Sequence, residues 1–283
     1  MNNLTFASKT DGDKNVLRVS VALCTFNGDL YLKEQIESIL QQSSKVHEIV
    51  ISDDGSTDQT KGIINQYKID YPAIFKLNFH DRAVGTIRNF QTALEKCTGD
   101  VVFLSDQDDI WHPDKVAIML RSFRDPRCLL LFTNGTLVDG AGNSLHSTLW
   151  DKWSFTPLRR LRWLWSTRGA LIDLLRNNNK VTGATVAMRA SLLEVVLPIR
   201  TPPHYWHDAW FALHAAARGG LRFIPNLLIN YRMHPKQQVG ITKGGNSSPA
   251  ATVSREIFLE SFKKEYPAWK AVIERPEFRP KKE

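Results

Sequence analysis

The chain has 283 residues, a net charge of +8, three cysteines and an apolar fraction of 42%. That length and composition suit one elaborated domain, or two small ones, with a real core, and exclude a chain disordered throughout. No apolar run approaches the ~18–20 residues of a membrane span, and residues 1–15 lack the apolar centre and cleavage site of a signal peptide, so a cytoplasmic protein is expected.

Cys24, Cys97 and Cys128 have no CxxC spacing and are expected to be reduced, mostly buried thiols rather than a disulfide framework or a zinc site. The basic excess asks for an anionic partner: nucleic acid, an anionic membrane surface or a phosphorylated small molecule.

Short apolar, β-branched runs predict strands at Leu17–Thr25, His47–Ser52, Phe75–Phe79, Val101–Ser105 and Cys128–Thr133. Helical patterns lie between them. Leu32, Ile36, Ile39 and Leu40 form one apolar stripe, and Val116, Met119, Leu120 and Phe123 another. Pro113 is expected at the first position of the second helix. This alternation predicts an α/β fold with an open, mostly parallel sheet and helices on both faces. Beyond about residue 140 the pattern changes, and six of the eight tryptophans fall between residues 150 and 210. The stretch 157–176 sets Arg159, Arg160, Arg162, Arg168 and Arg176 against one acid, Asp173. A last strand is expected at Leu221–Tyr231, followed by a Gly/Ser/Thr-rich loop, 241–252, and a basic tail.

In open α/β sheets ligands bind beyond the carboxyl ends of the strands. Four consecutive strand ends here carry polar groups: Thr25-Phe-Asn27-Gly28, Asp53-Asp54-Gly-Ser-Thr-Asp58, His80-Asp81-Arg82 running on to Arg88-Asn89, and Asp106-Gln107-Asp108-Asp109. Three carboxylates within four residues repel one another and are held together most easily by a hard divalent cation, Mn²⁺ or Mg²⁺. A polar turn ahead of a helix is the alternative. Asp53-Asp54-Gly55 reads equally as a turn built on an Asx side chain. Neither GxGxxG nor GxxxxGK[ST] is present, which removes the central evidence for dinucleotide or P-loop binding.

Val19-Ser-Val-Ala-Leu-Cys-Thr25-Phe-Asn-Gly28, Ile49-Val-Ile-Ser-Asp53-Asp54-Gly-Ser-Thr-Asp58 and Phe103-Leu-Ser-Asp106-Gln-Asp108-Asp109-Ile-Trp111 together resemble glycosyltransferase family 2. Val181-Thr-Gly183, His207-Asp208 and Tyr231-Arg232-Met-His234 continue the likeness more thinly. The wording around Asp106 is similar to members that build bacterial surface polysaccharides, O-antigen or capsule, rhamnosyltransferases among them.

The resemblance implies the GT-A fold, with a nucleotide-diphospho-sugar, dTDP-rhamnose or a UDP-sugar, lying across the strand ends. It divides the chain into an extension at 1–15, a transferase domain at 16–240 and a loop with a basic helix or tail at 241–283. The domain comprises a nucleotide half, 16–135, and an acceptor half, 136–240. The resemblance places Thr25, Asn27, Asp53 and Asp54 at the nucleobase, Arg88 at the base or diphosphate, Asp106 at the ribose and Gly183 at the donor. Asp108 and His234 would hold the metal, with Asp109, His207 and Arg232 as helpers. Asp208 would be the base for a saccharide or undecaprenyl-diphosphate-linked acceptor; as an acid at a helix start it is equally a good cap. The usual Glu before that Asp is His207 here.

One displacement with one base inverts the anomeric configuration. The tryptophans between 150 and 210 fit sugar stacking or plain core packing. The basic stretch 157–176 fits a solvated helix, a membrane contact or a subunit interface, and loop 241–252 fits a lid or plain surface chain. Two rivals accompany the transferase reading: a sugar nucleotidyltransferase, whose Gly-rich, Arg-bearing loop is replaced by Thr25-Phe-Asn-Gly28, and a non-catalytic sugar-nucleotide or polysaccharide-binding module. Nucleic-acid binding has no supporting motif.

Overall fold

The computed structural model describes residues 17–176, 178–201, 205–235, 237 and 255–275. The strands are β1 (Val19–Thr25), β2 (Glu48–Asp53), β3 (Phe75–Phe79), β4 (Val101–Ser105), β5 (Ile110–Trp111), β6 (Leu130–Val138), β7 (Ser144–Thr148), β8 (Val186–Arg189) and β9 (Leu221–Arg232). The helices are α1 (Leu32–Leu40), α2 (Thr60–Asp70), α3 (Thr86–Glu95), α4 (Lys115–Ser122), α5 (Leu149–Lys152), α6 (Pro157–Trp165), α7 (Thr167–Leu175), α8 (Ala190–Val196), α9 (His207–Ala217), α10 (Arg255–Glu265) and α11 (Lys270–Ile273). The extension 1–15, loop 241–252 and the tail beyond Arg275 lie outside the described residues.

The strands form one sheet in the order β3-β2-β1-β4-β8-β6-β9-β5, with β7 paired to β6. From β3 to β4 every pairing is parallel. Every residue of β1, β2 and β4 is buried, as parallel strands covered on both faces must be, and each is accordingly built on an apolar run, residues 21–24, 49–51 and 101–104, rather than on strict alternation. β8 then enters antiparallel between β4 and β6, and β6 pairs parallel with β9. The result is a mixed, mostly parallel sheet of GT-A type with helices around it.

The apolar stripes pack as expected: Leu32, Ile36 and Ile39 on α1, and Val116, Met119 and Phe123 at α4, are all buried. Helix α4 itself begins at Lys115 with Asp114 before it, so Pro113 is not its first residue. The Pro113 carbonyl accepts from the Ser43 amide at 2.9 Å, which keeps that turn out of the helix. The three cysteines are free, and burial raises each thiol above its ordinary value.

Three of the six tryptophans between residues 150 and 210 are packed in the core. Trp150 and Trp163 pack edge-on with Phe132 and Phe155, and Trp210 lies on His214 and Phe258. Helix α10 adds Phe258 and Phe262 to that core, and Tyr266, just past its end, lies with its Oη 2.8 Å from His214 Nδ1. This ties α10 and the turn after it to α9, whose first turn carries Asp208.

Candidate active site

A cleft of about 850 Å³, counting its open mouth, runs along the carboxyl ends of the parallel strands. Thr25 from the end of β1, Asp54 after β2, Thr86 and Asn89 from α3, and Asp106, Gln107 and Asp108 after β4 line one side. Thr182, Gly183, Trp206, His207, Asp208 and Tyr231 line the other. Parallel strands end on one edge of a sheet, so polar residues distant in sequence meet there.

The turns behind this wall are built by other acids. Asp53, fully buried, accepts from Thr25 Oγ1 at 2.8 Å and from the Ser56 amide at 2.9 Å. Asn27 has φ +48° and uses its Oδ1 to accept from the Thr57 amide at 2.9 Å. Neither lines the cleft. Asp54 does, and its two carboxylate oxygens accept from the Val84 amide at 2.6 Å and the Gly85 amide at 3.0 Å. It thereby fixes the loop that starts α3. Arg88, on α3, points to solvent, and its neighbours Thr86 and Asn89 face the cleft instead.

Gln107 was missed in the sequence. Its Oε1 accepts from the Phe26 amide at 2.7 Å and its Nε2 donates to the Phe26 carbonyl at 3.0 Å. A Cβ on Gly28 would lie 2.2 Å from Gln107 Oε1, so Gly28 is the residue that lets this strut bind. Lys115 was missed as well. It is fully buried, donates to the Ala184 carbonyl at 2.7 Å and sits 4.0 Å from the Trp111 ring centre. Burial brings its ammonium down to about 7, against the pull of Asp109 and Asp106. No local pattern marks such a lysine, which reads from sequence as a solvated helix charge.

Asp106 is held up to about 7, by burial first and then by the charges of Asp108 and Asp208. Asp109 is buried and also raised, for the same leading reason; its Oδ1 accepts from the Arg232 amide at 3.0 Å. Asp109 therefore anchors the end of β9 and does not line the cleft.

Arg232 departs from the expected helper role. It is 2% exposed, and all three guanidinium nitrogens are engaged. Nε donates to the Asp108 carbonyl at 2.8 Å, Nη1 to the Gly140 carbonyl at 2.9 Å and Nη2 to Glu34. The guanidinium also lies 4.5 Å from the Tyr31 ring centre. With each guanidinium nitrogen bonded inside the protein and the side chain buried, it acts as an internal clamp and does not line the cleft.

His234 follows the same strand, and its Nε2 lies 2.9 Å from Asp108 Oδ2. No group of three or more His, Cys, Asp or Glu with metal-binding geometry occurs among the described residues. Asp108 and His234 nonetheless fit a cation that takes its remaining ligands from phosphate oxygens and water, as Mg²⁺ and its analogues ordinarily do.

Across the cleft, the segments holding Gly183 and Asp208 are joined directly. Asp208 accepts from the Gly183 amide at 3.2 Å, from Asn179 Nδ2 at 3.1 Å and from the Ala209 amide at 2.6 Å. It lies within the first turn of α9 and does not cap it; Trp206 occupies the cap position. Burial raises its carboxyl to about 7 in spite of those bonds. A carboxyl with that value in a cleft is poised to accept a proton near neutral pH. His207 stacks on Phe90 at 4.3 Å and burial lowers it to about 4, so the ring is neutral.

The profile of glycosyl transferase family 2 matches residues 20–194. An uncharacterized glycosyltransferase of Nostoc is 26% identical over 228 residues, covering 77% of this chain and 65% of that protein. The dTDP-rhamnosyl transferase RfbG of Shigella flexneri is 35% identical over 112 residues, covering 38% of this chain and 39% of that protein. The chain thus spans less than two thirds of either relative. Among solved structures, the mannosyltransferase PcManGT of Pyrobaculum calidifontis, in complex with GDP-Man and Mn²⁺, superposes with a TM-score of 0.53 at 18% identity. That match covers 93% of this chain and 67% of that one and speaks for the fold alone. With the match running from β1 through β4 and on into α8, over one wall of the cleft and the Thr182–Gly183 part of the other, the chain belongs to glycosyltransferase family 2.

Proposed function

We propose that the protein transfers a sugar, with inversion, from a nucleotide-diphospho-sugar to a hydroxyl of a saccharide or undecaprenyl-diphosphate-linked acceptor. Bacterial surface polysaccharide synthesis at the cytoplasmic face of the membrane is the setting. The observation that carries this reading is the pairing, across one cleft, of a carboxyl held at about 7, Asp208, with the acidic strand end at Asp106 and Asp108. Likeness to RfbG favours dTDP-rhamnose as donor, with UDP-sugars next.

In this mechanism Thr25, Asp54 and Asn89 border the nucleotide and Asp106 the ribose. Asp108 and His234 would hold Mn²⁺ or Mg²⁺, which would supply positive charge for the departing diphosphate. Asp208 accepts the proton of the acceptor hydroxyl as its oxygen bonds to the anomeric carbon. The bond from that carbon to the phosphate oxygen breaks, and its electron pair leaves with the nucleoside diphosphate. One displacement of this kind inverts the centre.

The test is a thermal-shift panel of dTDP-, UDP- and GDP-sugars with Mn²⁺, followed by mass spectrometry of turnover with the best binder. A Mn²⁺-dependent stabilisation by one donor class is expected. Asp108→Asn is expected to remove the Mn²⁺-dependent part of that stabilisation while the unliganded melting temperature stays close to wild type. Donor binding without turnover against any saccharide or lipid-linked acceptor would instead point to the binding-module alternative.

A further inference from the structure

Helix α6 is amphipathic in the reverse of the usual sense. Its N-terminus is fixed by Pro157 and by Thr156, whose Oγ1 accepts from the Arg159 amide at 3.4 Å. Trp163 is buried, in edge contact with Phe155 and with its Nε1 donating to Asp173 at 2.9 Å. Arg159 and Arg162 reach back to the same Asp173, each at 3.8 Å, and Arg160 lies 4.9 Å from the Trp150 ring centre. Arg159 and Arg160 are thus half-buried against the protein, while Arg162 and Arg168 remain exposed beside the helix's outer face.

Apolar residues are left facing out. Leu158, Leu161, Leu164 and Trp165 are 78%, 39%, 63% and 81% exposed. At about 100° per residue these four fall within an arc of about 120°. Arg160 and Arg162 flank that arc, and Arg168 follows just beyond the helix end. Water gives no reason to hold four large apolar side chains on one short helix. The fold around them includes five arginines and one acid over 157–176, a rim that matches an anionic plane.

We propose that α6 docks on an anionic bilayer surface, with Leu158, Leu161, Leu164 and Trp165 below the headgroups and the flanking arginines at the level of the phosphates. A segment of this kind lies in the interface without crossing it, in keeping with the lack of any described helix long and apolar enough to span a membrane. The contact is placed usefully. Trp153, between α5 and α6, donates from Nε1 to Thr182 Oγ1 at 3.1 Å, and Thr182 lines the cleft beside Gly183. The bilayer would then lie against the acceptor half, where a lipid-linked substrate would arrive. This extends the proposed lipid-linked acceptor; flotation reads no glycosyl transfer, so its failure would leave the transfer reading standing.

The experiment is flotation of the full chain with vesicles of equal parts phosphatidylglycerol and phosphatidylcholine, against phosphatidylcholine alone. The wild type is expected to float with the anionic vesicles, less so as salt is raised, because the arginine contribution is screened and the apolar one is not. The double variant Leu158→Ser/Trp165→Ser is expected to bind about tenfold more weakly or worse with its thermal unfolding unchanged. Ile69→Ser, which removes an equally exposed aliphatic from α2, is expected to float as the wild type does. The proposal is overturned if the wild type does not float, or if the double variant floats equally well. It is also overturned if light scattering shows a wild-type dimer that the double variant turns into a monomer, which would make this face a subunit interface.

Discussion

Asp208→Asn is expected to lower kcat by about 10²–10⁴-fold, the range that a positioned general base contributes, while leaving donor binding nearly intact. On the proposed reading the side chain lines the wall opposite Asp106 and Asp108, so its loss would remove the proton acceptor and not a donor contact. The wild-type pH profile follows from the same group. Burial raises the carboxyl to about 7, and only the carboxylate accepts a proton, so kcat/KM is expected to fall about tenfold per pH unit on the acid side of that value.

Stability runs the other way. A folded-state value above the unfolded ~3.9 means that the native state holds the proton more tightly. Stability is therefore fully present below pH ~4, declines as pH rises toward about 7, and stays at the lower level above it. Above that value Asp208→Asn removes a buried charge. The amide keeps one acceptor oxygen for the Gly183, Ala209 and Asn179 donors, so lost hydrogen bonds offset part of the gain. A melting temperature at pH ~8 no lower than wild type, together with lost turnover, would mark a residue kept for chemistry at the expense of stability. Near-wild-type kcat would remove Asp208 from the base role.

Arg232→Met is expected to destabilise the fold by about 3 kcal/mol, on the order of 5 °C in melting temperature for a chain of this size. Glu34, 55% exposed, can regain water once its partner is lost. The Asp108 and Gly140 carbonyls cannot do so as easily, and an orphaned buried acceptor costs about 1–3 kcal/mol. Arg232→Lys should recover only a small part, because one ammonium cannot serve three separated acceptors in the geometry of a planar guanidinium. Calorimetric melts of the wild type and both variants check this. An unchanged melting temperature with weakened donor binding would return Arg232 to the diphosphate.

These two residues mark what the sequence could and could not disclose. The place of Asp208 in the cleft was legible because His207-Asp208 stands at a recognisable helix start. The parallel strands were legible because burial on both faces favours apolar runs over alternation, and such runs form the centres of β1, β2 and β4. Arg232 was misjudged because its partner Glu34 lies 198 positions away; a basic residue after a strand looks the same whether it faces a ligand or a buried carboxylate. Asp53, Asn27 and Asp109 share that ambiguity. Side chains that accept hydrogen bonds suit a turn and a ligand equally, and only the fold shows that backbone amides or a hydroxyl have taken them.

The shorter strands were hidden for a different reason. β5 has two residues and β8 four, too few for any period to register, and each exists because a longer neighbour offers it an edge. Lys115 and Gln107 were hidden because their partners are backbone carbonyls and amides, which leave no trace in side-chain pattern. The outward leucines of α6 were hidden because spacing defines two faces of a helix without saying which one turns inward.

The central claim is a single displacement at one cleft with Asp208 as the base. The anomeric configuration of the product, read by proton NMR after turnover with the donor selected by the thermal-shift panel, tests it most directly. Inversion relative to the donor is expected. Retention would require a second displacement or an internal return, and would contradict the assignment of Asp208.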